Sequence, residues 1–125
     1  MRKAVSLSDW LYRRGFSSPE RKYMNPDGTA TSRVFALREK DDGELSVDVK
    51  SLIEARVSVG DPDKFMLFEI ANKDVLNLNL TTEHDPLPNA KSTAHNPAHA
   101  VILGMDIEDE IMPGLLARKS KRVYI

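Results

Sequence analysis

Residues 95–104 read HNPAHAVILG, a polar turn that runs directly into a short apolar segment. Pro97 fixes its own φ and pushes Asn96 into an extended conformation, which disfavours a helix through His95 and His99. The four-residue spacing of these two histidines therefore does not predict a metal-binding face on a helix.

The apolar part of this stretch, residues 98–103, ends at Gly104 and predicts a strand that is buried on both faces. His99 then lies at the mouth of the strand, where solvent or a ligand can reach it. Its imidazole is a candidate acid or base. The alternative is that His99 hydrogen-bonds a neighbouring carbonyl and only closes the turn.

Length and composition predict one ordinary domain over residues 1–125, since 125 residues with 41% hydrophobic content can form one core but not two. The chain has no cysteine, which excludes disulfides, thiolate catalysis and thiolate metal sites. It shows no apolar signal segment and no run long enough to cross a bilayer, so we expect a cytoplasmic protein without membrane contact.

The charge is unevenly distributed along the chain. Residues 1–40 carry nine Lys or Arg against four acids, residues 41–110 carry five against fifteen, and residues 111–125 carry four against none. The basic ends either form a surface for phosphate or nucleic acid, or fold back against the acidic middle. We favour the second reading and expect no nucleic-acid partner, because duplex binding usually requires a strongly basic domain.

Alternation of apolar and polar residues predicts a mainly extended chain. The extended segments are residues 9–16, 31–38, 45–49, 64–71, 76–80, 98–103 and 123–125. Residues 106–119 have helical spacing, interrupted by Pro113-Gly114. We therefore predict an α+β fold with about five short strands in a mixed or antiparallel sheet and the C-terminal helix packed on one face.

Several short segments of the chain resemble those of a family of small bacterial proteins that has no assigned activity. The segments are LYRR at 11–14, SRVF at 32–35, LSVD at 45–48, DP at 85–86 and NPAHA at 96–100. The resemblance implies a cytoplasmic bacterial origin. The LYR opening followed by a strand serine is also similar to ADP-ribosyltransferase-like domains, although the glutamate that such enzymes need has no clear counterpart here.

The candidate site combines guanidinium, hydroxyl, carboxylate and imidazole groups from separate segments. Arginine forks match phosphate or carboxylate geometry, hydroxyls add hydrogen bonds, and a histidine can move a proton. The ligand-binding candidates are Arg13, Arg14, Ser32, Arg33, Ser46 and Asp48, with His99 as the catalytic acid or base. The alternative is that the arginines pair with Asp48 or Asp85 and that the serines only face solvent.

Two other sites are weaker predictions. His84, Asp85, His95 and His99 are chemically suitable metal ligands, but their spacing fits no known signature. Ser46 or Ser32 with His99 and Asp85 could form a Ser-His-Asp triad, but no nucleophile-elbow glycines accompany either serine. No phosphate-binding glycine loop or dinucleotide fingerprint is present, so we predict no metal and no cofactor.

Two functions remain open at this point, and the sequence does not decide whether the protein is an enzyme. The first is a domain that binds or acts on a phosphate-bearing or other anionic small molecule. The second is a non-enzymatic accessory or regulatory protein that binds another protein. The sequence does not indicate an oligomeric state.

Overall fold

A computed structural model of the chain describes residues 2–86 and 96–125. The strands, in chain order, are β1 (Lys3–Ala4), β2 (Trp10–Phe16), β3 (Leu45–Val49), β4 (Phe65–Ala71), β5 (Thr81–His84), β6 (His99–Leu103) and β7 (Lys121–Val123). The α-helices are α1 (Ala55–Ser58), α2 (Asn72–Asn77) and α3 (Met112–Lys119). Short 3₁₀ helices occupy Pro19–Arg21, Ser32–Phe35, Glu39–Asp41 and Lys50–Leu52. Across residues 2–86 and 96–125, none of the helices has both the length and the apolar character needed to span a bilayer.

The described strands form one antiparallel sheet in the order β1-β5-β6-β3-β2-β4-β7. The prediction of an α+β fold is confirmed, and β2, β3, β4 and β6 lie where the sequence placed strands. The number of strands was underestimated, because the described residues form seven strands rather than about five. β1 and β5 were missed since KA and TTEH are too short and too polar to show an apolar alternation.

The side chains of β3 alternate between the two faces of the sheet. Its three apolar residues are buried in the same cluster as Leu116 of α3, whereas Ser46 and Asp48 point to the opposite face. The predicted alternation along β3 is therefore confirmed. We call the side covered by α3 the core face and the side of Ser46 and Asp48 the cleft face.

The segment that follows the first long loop is not the predicted strand. Ser32–Phe35 forms a 3₁₀ helix, and its neighbouring residues Val34 and Phe35 are both 0% exposed. A strand would point these two side chains to opposite faces, whereas a helical turn lets both pack into the core cluster that contains Leu116. The alternation in SRVF was thus a misleading signal.

The predicted strand at residues 76–80 is also wrong. The chain continues from α2 into a turn, with N–H donation from Leu78 to the Val75 carbonyl and from Asn79 to the Leu76 carbonyl. Asn79 has a φ of 64°, a left-handed conformation that asparagine adopts more readily than most residues. The Leu-Asn alternation therefore belongs to a helix end, and β5 begins only at Thr81.

The C-terminal helix is shorter than predicted. α3 begins at Met112, and Pro113 lies in its first turn, where a missing N–H removes no helical hydrogen bond. Asp109 ties the preceding turn to the helix, since its Oδ1 accepts from the N–H groups of Ile111 and Met112 at 2.9 Å each. Leu116 is buried in the core cluster, so the packing of the helix on one face of the sheet is confirmed.

Candidate functional site

A cleft of about 790 Å³ opens on the cleft face of the sheet. Residues from β2, β3 and β6 form one side of it, and residues 52–58 together with the turn at 96–97 form the other. Five of the seven predicted site residues line this cleft: Arg13, Arg14, Ser46, Asp48 and His99. The strand pairing explains the grouping, because β3 pairs with β2 on one side and with β6 on the other.

Ser32 and Arg33 do not line the cleft. Both are exposed on a 3₁₀ helix that packs into the core face through Val34 and Phe35. The structure therefore does not bring the SRVF segment to the other predicted residues. The reason is the helical turn itself, which directs the apolar pair into the core and leaves the polar pair in solvent.

His99 makes a hydrogen bond through each ring nitrogen. Nδ1 lies 2.8 Å from the backbone carbonyl oxygen of Asp85, and Nε2 lies 3.1 Å from Oγ of Ser46. A carbonyl oxygen can only accept, so Nδ1 carries the hydrogen. In the neutral imidazole Nε2 is then the acceptor, and the Ser46 hydroxyl donates to it. The Asp85 carboxylate is also near, with Oδ2 3.7 Å from Nδ1.

Asp48 connects three parts of the cleft. Its Oδ2 accepts a hydrogen bond of 2.7 Å from the hydroxyl of Ser58 at the end of α1, and its Oδ1 accepts one of 2.8 Å from the side-chain amide of Asn96. Asn96 in turn accepts from the backbone N–H of Ala98 at 3.0 Å, which fixes the turn before β6. Asp48 opposes His99 in the register of β3 and β6, so its hydrogen bond to Asn96 holds the turn that leads into that histidine.

Arg13 bridges β3 and the Ser32–Phe35 helix. Its Nε donates to the carbonyl oxygen of Val34 and its Nη1 to the carbonyl oxygen of Ser46, both at 2.8 Å. Desolvation, with a smaller contribution from the positive charge of Arg38, lowers the pKa of Arg13 to about 10. The guanidinium therefore stays cationic at neutral pH and is held by two neutral acceptors.

Arg14 is an exposed cation of the cleft. Its guanidinium carbon lies 4.7 Å from the centroid of the Phe65 ring, a cation–π distance. Gly60 leaves room for it, because a Cβ at that position would lie 3.0 Å from Nη1 of Arg14. Gly60 also has a φ of +72°, so a side chain there would strain the backbone as well.

Neither Arg13 nor Arg14 has a carboxylate within ion-pair distance in the part of the chain that the structure describes. Asp85, which the sequence offered as a partner for these arginines, lies 3.2 Å from Nη2 of Arg2 instead. The other offered partner, Asp48, is bound to neutral groups. Arg13 and Arg14 are therefore not neutralised by a carboxylate in direct contact among the described residues.

The sequence did not identify several lining residues, among them Arg56, Ser58 and Asn96. Asn96 carried a usable signal, since an asparagine before proline often accepts from the N–H group two residues later. No sequence pattern pointed to Ser58 or Arg56, because their place in the cleft depends on how residues 50–60 fold over the sheet. Arg56 pairs with Glu54 at 2.9 Å on the rim, where both side chains are mostly exposed.

The predicted metal ligands do not converge over residues 2–86 and 96–125, where no group of three or more His, Asp or Glu side chains could hold a metal ion. Nε2 of His84 lies 2.6 Å from the carbonyl oxygen of Pro97, and His99 faces Ser46. His95 lies outside the described residues.

Comparisons of the chain with protein family models, with curated proteins and with solved structures found no match. The chemistry of the cleft is therefore what bears on function.

Proposed function

We propose that the cleft binds a small molecule that carries a phosphate or carboxylate group. The observation that supports this proposal best is Arg14, an exposed arginine that lines the cleft without a carboxylate partner among the described residues, with Arg13 beside it in the lining. Guanidinium groups bind such anions through paired, charge-assisted hydrogen bonds.

The cleft keeps a small excess of positive charge, because its lining includes three arginines, Arg13, Arg14 and Arg56, against two carboxylates, Asp48 and Glu54. Asp48 has one hydrogen-bond donor on each carboxylate oxygen, from Ser58 and Asn96, and we assign it the role of holding the cleft together. Glu54 is paired with Arg56 at the rim. Arg14 is left as the exposed arginine of the cleft without an ion-pair partner among the described residues, and Arg13 contributes charge from a fixed position.

The remaining lining residues suit a ligand that also has an apolar part. Leu52 and Val57 are large hydrophobic residues that are 49% and 61% exposed, and both line the cleft together with Ile53. Ligand sites commonly combine an apolar wall with a few polar groups that set orientation. In this arrangement the arginines hold the anionic group and the wall contacts the rest of the molecule.

The proposal predicts that inorganic phosphate, pyrophosphate or citrate binds to the protein at constant ionic strength. Replacing Arg14 by Gln should weaken this binding about 10- to 100-fold, since a hydrogen bond to a charged group contributes about 1.5–3 kcal/mol. Isothermal titration calorimetry measures the affinity, and the ligand-induced rise in melting temperature provides a second reading. Arg33→Gln is the matched control, because Arg33 lies outside the cleft and its loss should change the affinity less than about twofold.

Two results would contradict the proposal. One is that none of the three anions binds to the wild-type protein, which would favour the alternative of an accessory protein that binds another protein. The other is that Arg14→Gln and Arg33→Gln weaken binding equally, which would indicate a general charge effect rather than a site.

A further inference from the structure

Ser46 and His99 form a hydrogen-bonded pair inside the cleft. The Ser46 hydroxyl donates to Nε2 of His99 over 3.1 Å, and the Asp85 carbonyl holds the hydrogen on Nδ1 over 2.8 Å. This is the arrangement that activates a serine, in which the base accepts the hydroxyl proton and a third group fixes the tautomer of the base.

The surroundings of Ser46 favour more than a structural hydrogen bond. Ser46 is exposed and lines the cleft, so a ligand can reach its hydroxyl. Its backbone is held in place, because its carbonyl oxygen accepts 2.8 Å from the guanidinium of Arg13. His99 lies on the neighbouring strand β6, and the hydrogen bond between Asn96 and Asp48 holds the turn that precedes it. A hydroxyl and a base are thus both positioned at the surface of one cavity.

We infer that Ser46 and His99 are the nucleophile and general base of a carboxylic ester hydrolase. Ser46 Oγ attacks the acyl carbon, and its proton passes to Nε2 of His99. The bond from the acyl carbon to the alcohol oxygen breaks, and His99 returns the proton to the departing alcohol. Water then attacks the acyl-serine ester and gives a proton to His99, which protonates Ser46 Oγ as the carboxylic acid leaves.

The substrate class follows from the residues around the pair. The positive charge of Arg14, with Arg13 behind it, favours a substrate with an anionic group and lowers the energy of anionic tetrahedral intermediates formed in the cleft. Leu52 and Val57 offer an apolar contact for the chain that links the ester to that group. We therefore expect an ester of an acid or alcohol that carries a carboxylate or phosphate, a substrate class that rests on the anion binding proposed above.

The first test uses a neutral fluorophosphonate, which reacts with activated serines and does not need the arginines. Peptide mass spectrometry should find the adduct on Ser46, and Ser46→Ala should abolish it. His99→Gln should slow labelling at least about 100-fold, the lower range of general-base effects. Ser32→Ala is the matched control, because Ser32 is exposed outside the cleft. In this variant the rate of labelling at Ser46 should stay within about twofold of the wild-type rate. An unfolding midpoint in urea close to that of the wild type verifies that Ser46→Ala is folded.

The second test compares two esters of equal chain length, the para-nitrophenyl monoester of glutaric acid and para-nitrophenyl pentanoate. The anionic ester should have at least about a tenfold higher kcat/KM, and Arg14→Gln should reduce the ratio to about one.

The outcomes separate the two proposals. Phosphate binding without an adduct on Ser46 would overturn the hydrolase inference and leave anion binding intact. Equal labelling of wild type and His99→Gln would overturn the role of His99. An adduct on Ser46 without preference for the anionic ester would overturn the substrate class.

Discussion

Arg2 and Arg14 are arginines in opposite electrostatic situations. Arg2 lies before β1, at one edge of the sheet, and its guanidinium reaches Glu44 at 2.7 Å, Asp85 at 3.2 Å and Glu83 at 3.6 Å. Arg14 lies on β2 in the cleft, and within the described part of the chain it contacts the Phe65 ring rather than a carboxylate. One arginine is neutralised by its neighbours, and the other has no carboxylate partner among the described residues.

The difference explains why the sequence alone could not show which arginines form ion pairs. An arginine pair in a chain that contains Asp48 and Asp85 predicted either internal ion pairs or an anion site, with no means of choosing between them. The structure assigns Asp85 to Arg2 and gives Asp48 two neutral donors. Asp85 is thus paired with Arg2, a residue for which the sequence showed no functional signal, rather than with Arg13 or Arg14.

The largest change in stability is expected at Arg13, because its guanidinium connects two elements of the fold in addition to carrying charge. Replacing it by Met removes two charge-assisted hydrogen bonds to the carbonyl groups of Val34 and Ser46. We expect the free energy of unfolding to fall by about 2–4 kcal/mol, measured by urea denaturation. Arg14→Met is the matched control and should change it by less than about 1 kcal/mol, because that side chain is exposed and loses only a cation–π contact with Phe65. Equal effects of the two substitutions would show that Arg13 does not connect these elements.

The contacts of Asp48 predict a smaller effect, which a double-mutant cycle isolates. Asp48→Ala and Asn96→Ala each break the 2.8 Å hydrogen bond between the two side chains. Their effects on the free energy of unfolding should therefore be non-additive, with a coupling of about 0.5–2 kcal/mol. A cycle of Asp48 with Ser32 is the control and should show additivity, since Ser32 lies outside the cleft. Additivity in both cycles would mean that Asp48 does not hold the turn before β6.

Much of the fold was readable because its central strands alternate cleanly. LSVDV at β3 divides into buried and polar faces in the sequence as it does in the structure, and the apolar run of β6 ends at Gly104 in both. The errors came from segments where alternation arose for another reason. Val34 and Phe35 are adjacent core residues on a helical turn, and Leu76 and Leu78 belong to a helix and its end.

The site was predictable to the extent that strands determine it. Ser46, Asp48 and His99 share the cleft face because β3 and β6 are neighbours, a pairing that their patterns allow but do not specify. Arg33 was misplaced since its segment is helical. Ser58 could not be found, because its contact with Asp48 depends on the fold of residues 50–60 over the sheet. Functional roles for the cleft residues stay predictions until ligand binding is measured.

The smallest change in stability is expected on replacing Arg2, and this change should depend on pH. The hydrogen bond from Arg2 holds the pKa of Glu44 below its ordinary value of 4.5, so Glu44 binds a proton more readily in the unfolded chain than in the folded protein. The stabilisation is therefore fully present above about pH 4.5 and is lost as the pH falls through the lowered pKa of the folded state. Arg2→Gln should lower the melting temperature by a few degrees near neutral pH, less in high salt, and the difference should vanish in acid. Arg14→Gln, which removes no ion pair, should show no such dependence between the same two pH values. A difference for Arg2→Gln that persists in acid would mean that the guanidinium stabilises the sheet edge by packing rather than by its charge.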